Sequence, residues 1–523
     1  MLLKIALLVA FFAVMIGVGL YCRKTATSVQ GFVLGGRNVG SWLTAFAFGT
    51  SYFSAVIFVG YAGQFGWKYG LAATWIGIGN ALIGSLLAWR VLGRRTRLMT
   101  QHLGSATMPD FFGRRFSSPA LKVISSVIVF IFLIPYTASL YNGLSRLFEM
   151  AFGIDYAWCV VGMAVLTGIY VLVGGYMATA INDFIQGLIM LVGICAVIAA
   201  VLQGNGGFTE ALSRLSQIPS ESAPQLSGAF TSFFGPQPVY LLGVVLLTSL
   251  GTWGLPQMVG KFYAIRDEAA IRKGTVISTL FAFIVAGGCY FLGGFGRLYG
   301  GSIEYTAAGT PVFDSIIPSM LATLPDAMIG IVIILVLSAS MSTLSSLVLT
   351  SGSTLTLDII KPALKRAMSE KGTLMCIRLL VLFFIAVSSV LAIIQARSSV
   401  TFIAQLMGIS WGALAGAFLA PFLWGLYWKR TTPASVLASF VCGVAVMCAC
   451  MWCTFTGRTF LSPFFTSPIN AGVLAMVLGL VIVPLVSIFT KVKDKQEVDR
   501  MFESYESRVT VKATDALAGA EEL

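Results

Sequence analysis

The sequence contains few charged residues and a single histidine. Asp, Glu, Lys and Arg make up 11% of the 523 residues, 57% are hydrophobic, and the mean hydropathy is +0.89. A water-soluble protein of this length could not cover its surface with so few charges, so lipid must surround much of the chain. His102 lies in a basic loop, and with no paired acid and base at mid-membrane depth the pattern argues against an enzyme.

Signatures of nucleotide and cofactor use are also missing. No glycine-rich loop precedes a Lys-Ser/Thr pair, which argues against ATP as the energy source. The nine cysteines lie almost wholly inside apolar segments. Cys450 and Cys453 have the CxxC spacing of metal and redox sites, but on a hydrophobic span we interpret them as small apolar filler. The sequence therefore predicts no bound cofactor.

Thirteen apolar segments are long enough to cross a bilayer, which takes roughly 20 residues each. They lie near residues 2–21, 41–63, 70–93, 122–150, 155–174, 177–202, 237–261, 273–296, 327–358, 374–396, 400–427, 433–454 and 470–490. No small-residue cleavage site follows the first segment, so we expect it to be a retained span rather than a signal peptide.

The placement of positive charge predicts the topology. With the N-terminus outside and the C-terminus in the cytoplasm, most of the 34 lysines and arginines flank cytoplasmic segment ends. Lys261 counts among them, at the end of the segment 237–261. The net charge of +13 thus reflects membrane insertion rather than nucleic-acid binding. We expect a multi-pass protein of the plasma (inner) membrane.

Two segments carry polar or helix-breaking residues at mid-membrane depth, in the runs 48–55 and 248–257. Non-helical backbone in a membrane must be buried or line a cavity, because its N–H and C=O groups need partners. Gly and Pro are common in membrane helices generally. However, these two breaks begin five spans apart, as in the five-plus-five inverted repeat of sodium-coupled transporters. The sequence predicts an all-α membrane protein with two broken helices and a LeuT-like fold.

This repeat divides the chain into five regions. They are an extra N-terminal helix at 1–30, a first repeat at 31–240, a second repeat at 237–430, two extra C-terminal helices at 431–491 and a cytoplasmic tail at 492–523.

Hydroxyl side chains cover one face of the segment 327–358. Ser338, Ser342, Ser345 and Ser346 follow the spacing i, i+4, i+7 and i+8 of one helix face. Such hydroxyls, next to freed carbonyls, supply the neutral oxygen ligands that a small hard cation prefers. Each serine taken singly could instead bond back to its own helix or allow close helix packing.

Asp183 lies just inside an otherwise uncharged apolar span. A carboxylate inside a membrane is costly and indicates a functional site. Its partner could be a cation held together with the serine face, or a cytoplasmic Lys or Arg. In a proton-coupled carrier it would be a proton relay.

Four motifs resemble the sodium/solute symporter family, which includes transporters of proline, sugars, sialic acid and pantothenate. They are Leu-Gly-Gly-Arg at 34–37, Val-Gly-Gly-Tyr at 173–176, Met-Ser-Thr-Leu-Ser at 341–345 and Trp-Lys-Arg at 428–430. The similarity runs from about residue 32 to 430. It implies one sodium site made by the carbonyls of Thr50, Phe53 and Ala339 with the hydroxyls of Ser342 and Thr343. It also implies a second site, found in some branches, made by Asp183, Ser342, Ser345 and Ser346.

The resemblance places a solute cavity between the two breaks. Its expected lining is Tyr52, Ser54, Trp253, Pro256 and Gln257, with Tyr136 or Tyr141 facing it from the fourth span. The aromatic members could equally serve packing or the membrane interface.

The branch of the family is less clear from the sequence. Tyr52 stands where the proline branch has an acidic residue, Ile57 stands where the sugar branch has a glutamine, and no arginine occupies the fourth-span position used by the sialic acid branch. The run 254–262 is most similar to the proline branch. We expect sodium-coupled symport of an amino acid such as proline or of a small carboxylate. A sugar or other nutrient symporter and a proton-coupled carrier using Asp183 remain alternatives, and the oligomeric state is open.

Overall fold

The computed structural model describes residues 2–307, 309–364, 368–396, 403–458, 462–492, 494–507 and 509. The end of the predicted tail, at 510–523, and the start of the predicted segment 400–427 lie outside the described residues. The described part is helical, and it contains no strand, only isolated bridges between Val39 and Ile265 and between Tyr305 and Pro311. The all-α prediction is confirmed.

Ten α-helices of the described chain precede the second broken span. They are α1 (Leu2–Cys22), α2 (Val29–Leu34), α3 (Ser41–Tyr52), α4 (Ala62–Tyr69), α5 (Thr74–Gly79), α6 (Arg94–His102), α7 (Met108–Arg115), α8 (Pro119–Phe152), α9 (Tyr156–Gly204) and α10 (Phe208–Ser216). The π-helical stretch Val56–Tyr61 runs directly into α4, and the stretches Asn80–Leu87 and Trp89–Gly93 join α5 to α6.

Eleven α-helices form the remainder of the described chain. They are α11 (Pro238–Leu250), α12 (Pro256–Ala264), α13 (Glu268–Gly293), α14 (Ile316–Ala322), α15 (Asp326–Thr354), α16 (Lys361–Ala363), α17 (Glu370–Ala396), α18 (Ile403–Tyr427), α19 (Pro433–Thr456), α20 (Pro468–Phe489) and α21 (Lys495–Glu503). A π-helical stretch, Leu355–Ile360, extends α15.

Within the described residues, ten helices are long and apolar enough to cross a membrane, or eleven when the bent pair α11 and α12 counts as one more. This count does not confirm the predicted thirteen, because the stretches Val56–His102 and Tyr156–Gly204 are each counted once although each covers two predicted segments. The helical geometry of the second stretch is interrupted by a kink at Gly175, where φ is 56° and ψ is −149°. A side chain there would adopt a strained backbone and would place its Cβ 2.9 Å from the Phe32 carbonyl.

The first broken span is α3 with the helix that follows it. Helix α3 ends at Tyr52, Phe53 takes an extended conformation, and helical structure resumes at Ala55. The Phe53 amide still donates to the Gly49 carbonyl at 3.1 Å. The carbonyls of Thr50 and Phe53 accept no backbone amide within the described part of the chain, so these two acceptors are available to other partners.

The second broken span is the bent pair α11 and α12, whose axes differ by 47°. A short 3₁₀ turn, Gly251–Gly254, ends α11, and Leu255 is extended with φ −88° and ψ 119°. Pro256 causes this geometry, because its ring disfavours the helical conformation at the preceding residue. Gly254 lets α18 approach closely, since a Cβ there would lie 2.8 Å from the Leu419 amide nitrogen.

The two broken spans meet at one face of the helix bundle. The Val39 amide, just before α3, donates to the Ala264 carbonyl at 3.1 Å, and the Arg266 amide donates back to Val39 at 3.0 Å. Helix α3 also packs against α9, α12, α13 and α15. Helix α21 packs on this same face, called the tail face below, where Asp499 pairs with Lys429 at 2.6 Å. Both breaks are buried, and the serine-rich helix α15 packs against α3 and α12.

Candidate functional site

Oxygen atoms converge where α15 crosses the first break. Ser342 Oγ donates to the Thr50 carbonyl at 3.1 Å, and Thr343 Oγ1 donates to the same carbonyl at 3.0 Å. Both hydroxyls also lie 3.2 Å from the Ala339 carbonyl, and Ser342 bonds back to Ser338 at 2.9 Å. The structure thus brings together four of the five residues predicted for the first sodium site.

The fifth member, Phe53, lies at the break itself, and its carbonyl accepts no backbone amide among the described residues. The whole group is buried, with Thr50, Ser342 and Thr343 inaccessible to solvent. Neutral oxygens gathered from a broken helix and an intact one can hold a small hard cation without fixing a charge there. The same atoms hydrogen-bond one another here, so these donors would have to turn when an ion binds.

The predicted second site is built around Asp183, and there the structure places a lysine. Lys261 Nζ lies 3.6 Å from Asp183 Oδ2 and donates to Ser346 Oγ at 2.9 Å. Both charged side chains are buried, with 0% exposure for Asp183 and 5% for Lys261. The ammonium also lies 5.4 Å from the centre of the Tyr176 ring. Ser346 shares a further hydrogen bond of 2.8 Å with Ser51 of the first broken span.

The other two predicted ligands of this site do not meet Asp183. Ser342 Oγ is turned to the first oxygen cluster, and Ser345 Oγ donates to the Ser342 carbonyl of its own helix at 2.9 Å. Both carboxylate oxygens of Asp183 lack a hydrogen bond in the described part of the chain. Lys261 therefore provides the charge compensation for this carboxylate.

The predicted solute residues of the first break form an aromatic pocket. The Tyr52 ring lies 5.3 Å from the Trp411 ring, and the Tyr136 ring meets Trp411 edge-on at 6.0 Å. The Tyr52 hydroxyl donates to the Thr248 carbonyl of the second broken span at 3.0 Å. The hydroxyls of Ser54 and Tyr136 and the Trp411 indole nitrogen are buried close to one another, and none has a hydrogen bond of normal geometry among the described residues. Buried polar groups of this kind can bind a solute.

Pro256 and Gln257 lie deeper toward the tail face. They line a cavity of about 50 Å³ together with Lys261 and Ser346. The Gln257 amide is buried, and neither its nitrogen nor its oxygen has a partner within the described chain. Gln257 therefore shares a cavity with the charged pair, where its amide can hydrogen-bond a passing solute.

Two predicted solute residues are directed elsewhere. Trp253 donates its indole N–H to the Ile83 carbonyl at 3.1 Å, so its polar atom is already used in helix packing. Tyr141 faces Ser389 rather than Trp411. Five residues along an α-helix correspond to a rotation of about 140°, so Tyr136 and Tyr141 of α8 cannot face one cavity.

Larger cavities open at both faces of the bundle. A cavity of about 770 Å³ at the tail face is lined by Arg37, Lys122 and Asp358 among others, and one of about 590 Å³ at the opposite face is lined in part by Lys68 and Arg297. Neither lining includes Tyr52, Ser54 or Tyr136.

Arg37, from the Leu-Gly-Gly-Arg motif, supports the tail-face cavity. Its guanidinium donates to the Ser105 carbonyl at 2.6 Å and to the Thr100 and Tyr263 carbonyls at 3.4 and 3.5 Å. Burial lowers the pKa of Arg37 to about 10, so it remains charged near neutral pH. This arginine thereby fixes the loop before α3 to the end of α12.

Sequence reasoning missed Trp411 as a pocket residue. It allowed a cytoplasmic Lys or Arg as the partner of Asp183, which the structure shows to be Lys261, but it did not single out this lysine. Trp411 lies within a uniformly apolar segment and is separated from both breaks along the chain. Lys261 ends a predicted span and has the position of an ordinary flanking charge. The signal for Lys261 was the motif run 254–262. Pro256 begins a new helix after the break, and Lys261 lies five residues later on that helix, whose direction the break changes.

Comparison with known proteins identifies the family of the chain. The model of the "Sodium:solute symporter family" matches residues 32–443. The chain belongs to this family. It is 30% identical over 472 residues to the osmoregulated proline transporter OpuE of Bacillus subtilis, covering 89% of this chain and 92% of that protein. It is 28% identical to the sodium/proline symporter of Salmonella typhimurium over 443 residues, covering 83% and 84%.

A solved structure of a Na⁺-coupled sialic acid symporter, in a substrate-bound outward-open state, has the same fold. Its TM-score is 0.74 at 16% identity, covering 94% of this chain and 99% of that one. The fold prediction, a helical bundle of the sodium-symporter type, is confirmed. The protein is thus an integral membrane transporter that couples a small solute to sodium, and it is not an enzyme.

Proposed function

We propose that this symporter carries proline, and that one sodium ion binds where the first broken helix meets α15. The observation that carries the proposal is the convergence of the Ser342 and Thr343 hydroxyls on the Thr50 carbonyl. The carbonyls of Phe53 and Ala339 complete the set. An ion in this position bridges a broken helix and an intact one, so its binding favours a particular arrangement of the two.

Proline as the solute is supported by the relatives and by the pocket chemistry. Several relatives at about 30% identity are named as proline transporters. The rings of Tyr52, Tyr136 and Trp411 suit an apolar pyrrolidine, and buried polar groups of Ser54 and Gln257 suit a polar end. The proposed contacts with proline also include Pro256, the Tyr136 hydroxyl and the Trp411 indole N–H.

The proposed mechanism is alternating access. Repeats 31–240 and 237–430 supply one broken helix each, in a plasma (inner) membrane with the N-terminus outside and the C-terminus in the cytoplasm. Sodium enters from outside and completes the pocket, and its loss to the cytoplasm releases the solute through the tail-face cavity. Each sodium ion adds about 2.3 kcal/mol per 100 mV of membrane potential to the driving force.

A panel of radiolabelled solutes tests the choice of proline. Proteoliposomes with an inward sodium gradient are assayed with proline, other amino acids, monocarboxylates and sugars. We expect saturable, sodium-dependent uptake of proline, reduced by Tyr136→Ala and little changed by Tyr141→Phe. Sodium-dependent uptake of a sugar that proline does not inhibit would overturn the proposed substrate.

A further inference from the structure

The charged pair at the centre of the bundle joins four helices. Lys261 on α12 lies between Asp183 on α9 and Ser346 on α15, with Nζ 3.6 Å from the carboxylate and 2.9 Å from the hydroxyl. Ser346 continues this network to Ser51 on α3 at 2.8 Å. One ammonium group therefore connects both broken helices to α9 and α15.

The surroundings of Asp183 are those of a cation site. Neither of its carboxylate oxygens accepts a hydrogen bond within the described part of the chain, although the side chain is inaccessible to solvent. The neighbouring amides do not help, because Asn182 donates to the Met15 carbonyl at 3.3 Å and Gln186 to the Met15 sulfur at 3.2 Å. A buried carboxylate in this state needs a positive charge beside it.

That positive charge comes from the chain itself. Two of the four ligands expected of a second sodium site, Asp183 and Ser346, flank the Lys261 ammonium. A sodium ion bound to the same oxygens would lie at contact distance from Nζ, and two like charges so close in a buried site repel strongly. The lysine and a sodium ion cannot share this position.

We propose that Lys261 is a tethered cation that occupies the position between Asp183 and Ser346, so that the transporter couples to one sodium ion only. This inference rests on the proposed sodium site at Thr50, Ser342 and Thr343. Lys261 then sets the coupling stoichiometry. Its charge stays with the protein, whereas a second sodium ion would be carried across with the solute.

Replacement of Lys261 tests this inference. In Lys261→Met the stem keeps its length and loses its charge, so Asp183 becomes free to bind sodium. We expect the sodium-to-proline ratio, measured from reversal potentials in proteoliposomes, to rise from one in the native protein to two. At 100 mV a second transported charge multiplies the equilibrium accumulation of proline by about 50-fold.

Two control variants test whether the changed ratio depends on the free Asp183 carboxylate and on the position of the removed lysine. Asp183→Asn/Lys261→Met removes both charges and should return the ratio to one. Lys273→Met removes an exposed lysine of the same half of the chain and should leave the ratio at one. A native ratio of two, or an unchanged ratio in Lys261→Met, would overturn the tethered-cation proposal.

A measurement that needs no solute tests the inference even if the variant transports poorly. Sodium-dependent thermal stabilisation is recorded for purified protein with potassium replacing sodium at constant ionic strength. In a Thr343→Ala background, which weakens the first site, we expect sodium to stabilise Lys261→Met but not the protein that keeps Lys261. Equal responses would count against the proposal. A native protein that shows no sodium response at all would instead refute the proposed first site.

Discussion

The pairing of Asp183 with Lys261 predicts a strongly non-additive double-mutant cycle for stability. Asp183→Asn leaves a buried ammonium whose one remaining hydrogen bond is to Ser346, and Lys261→Met leaves a carboxylate with no hydrogen bond in the described structure. Removing one partner of a buried ion pair costs about 3–5 kcal/mol, whereas removing both is close to neutral. Both single variants should therefore be much less stable than the double variant.

The size of the effect follows from these values. If each single change costs at least about 3 kcal/mol and the double change at most about 2 kcal/mol, the coupling energy is about 4 kcal/mol or more. The assay is thermal unfolding of purified protein in sodium-free potassium buffer, because sodium could compensate Asp183 in Lys261→Met. Stability losses that simply add, with the double variant least stable, would refute the buried pair.

Further predictions concern the first sodium site, the pocket and the motif arginine. Ser342→Ala should weaken sodium activation of uptake by about tenfold, the effect of one lost hydrogen-bonding ligand, whereas Ser389→Ala, which loses a bond within its own helix, should not. Tyr136→Phe should raise the solute concentration for half-maximal uptake with little change in sodium activation, and Tyr141→Phe should change neither. Arg37→Lys should lower the midpoint of thermal unfolding, because a point charge cannot replace a planar donor that reaches several carbonyls.

The sequence was sufficient for features that depend on local chemistry. Long apolar runs define the spans, and Pro256 forces the second break through its effect on the residue before it. The serine face of α15 follows from helical periodicity. The contact of Ser342 and Thr343 with the first break was implied by the family resemblance, and the structure shows it. The polar run 48–55 indicated the first break, because polar residues at mid-membrane depth mark backbone that is buried or lines a cavity.

Features that depend on how helices meet could not be predicted. Lys261 has the position of a flanking charge along the chain, but the bend after Leu255 directs α12 so that its side chain reaches Asp183. The rotation of α8 decides that Tyr136, and not Tyr141, meets Trp411. Each of these outcomes is set by tertiary packing, for which a single sequence carries no periodic signal.

We propose that sodium, and not the proton, is the coupling ion. Uptake under defined ion gradients tests this directly. Proteoliposomes loaded with potassium buffer receive either an inward sodium gradient or an inward proton gradient of equal size, and radiolabelled proline is followed over time. We expect transient accumulation above the external concentration with sodium alone, and its loss in Thr343→Ala. Equal accumulation driven by protons without sodium would contradict this expectation.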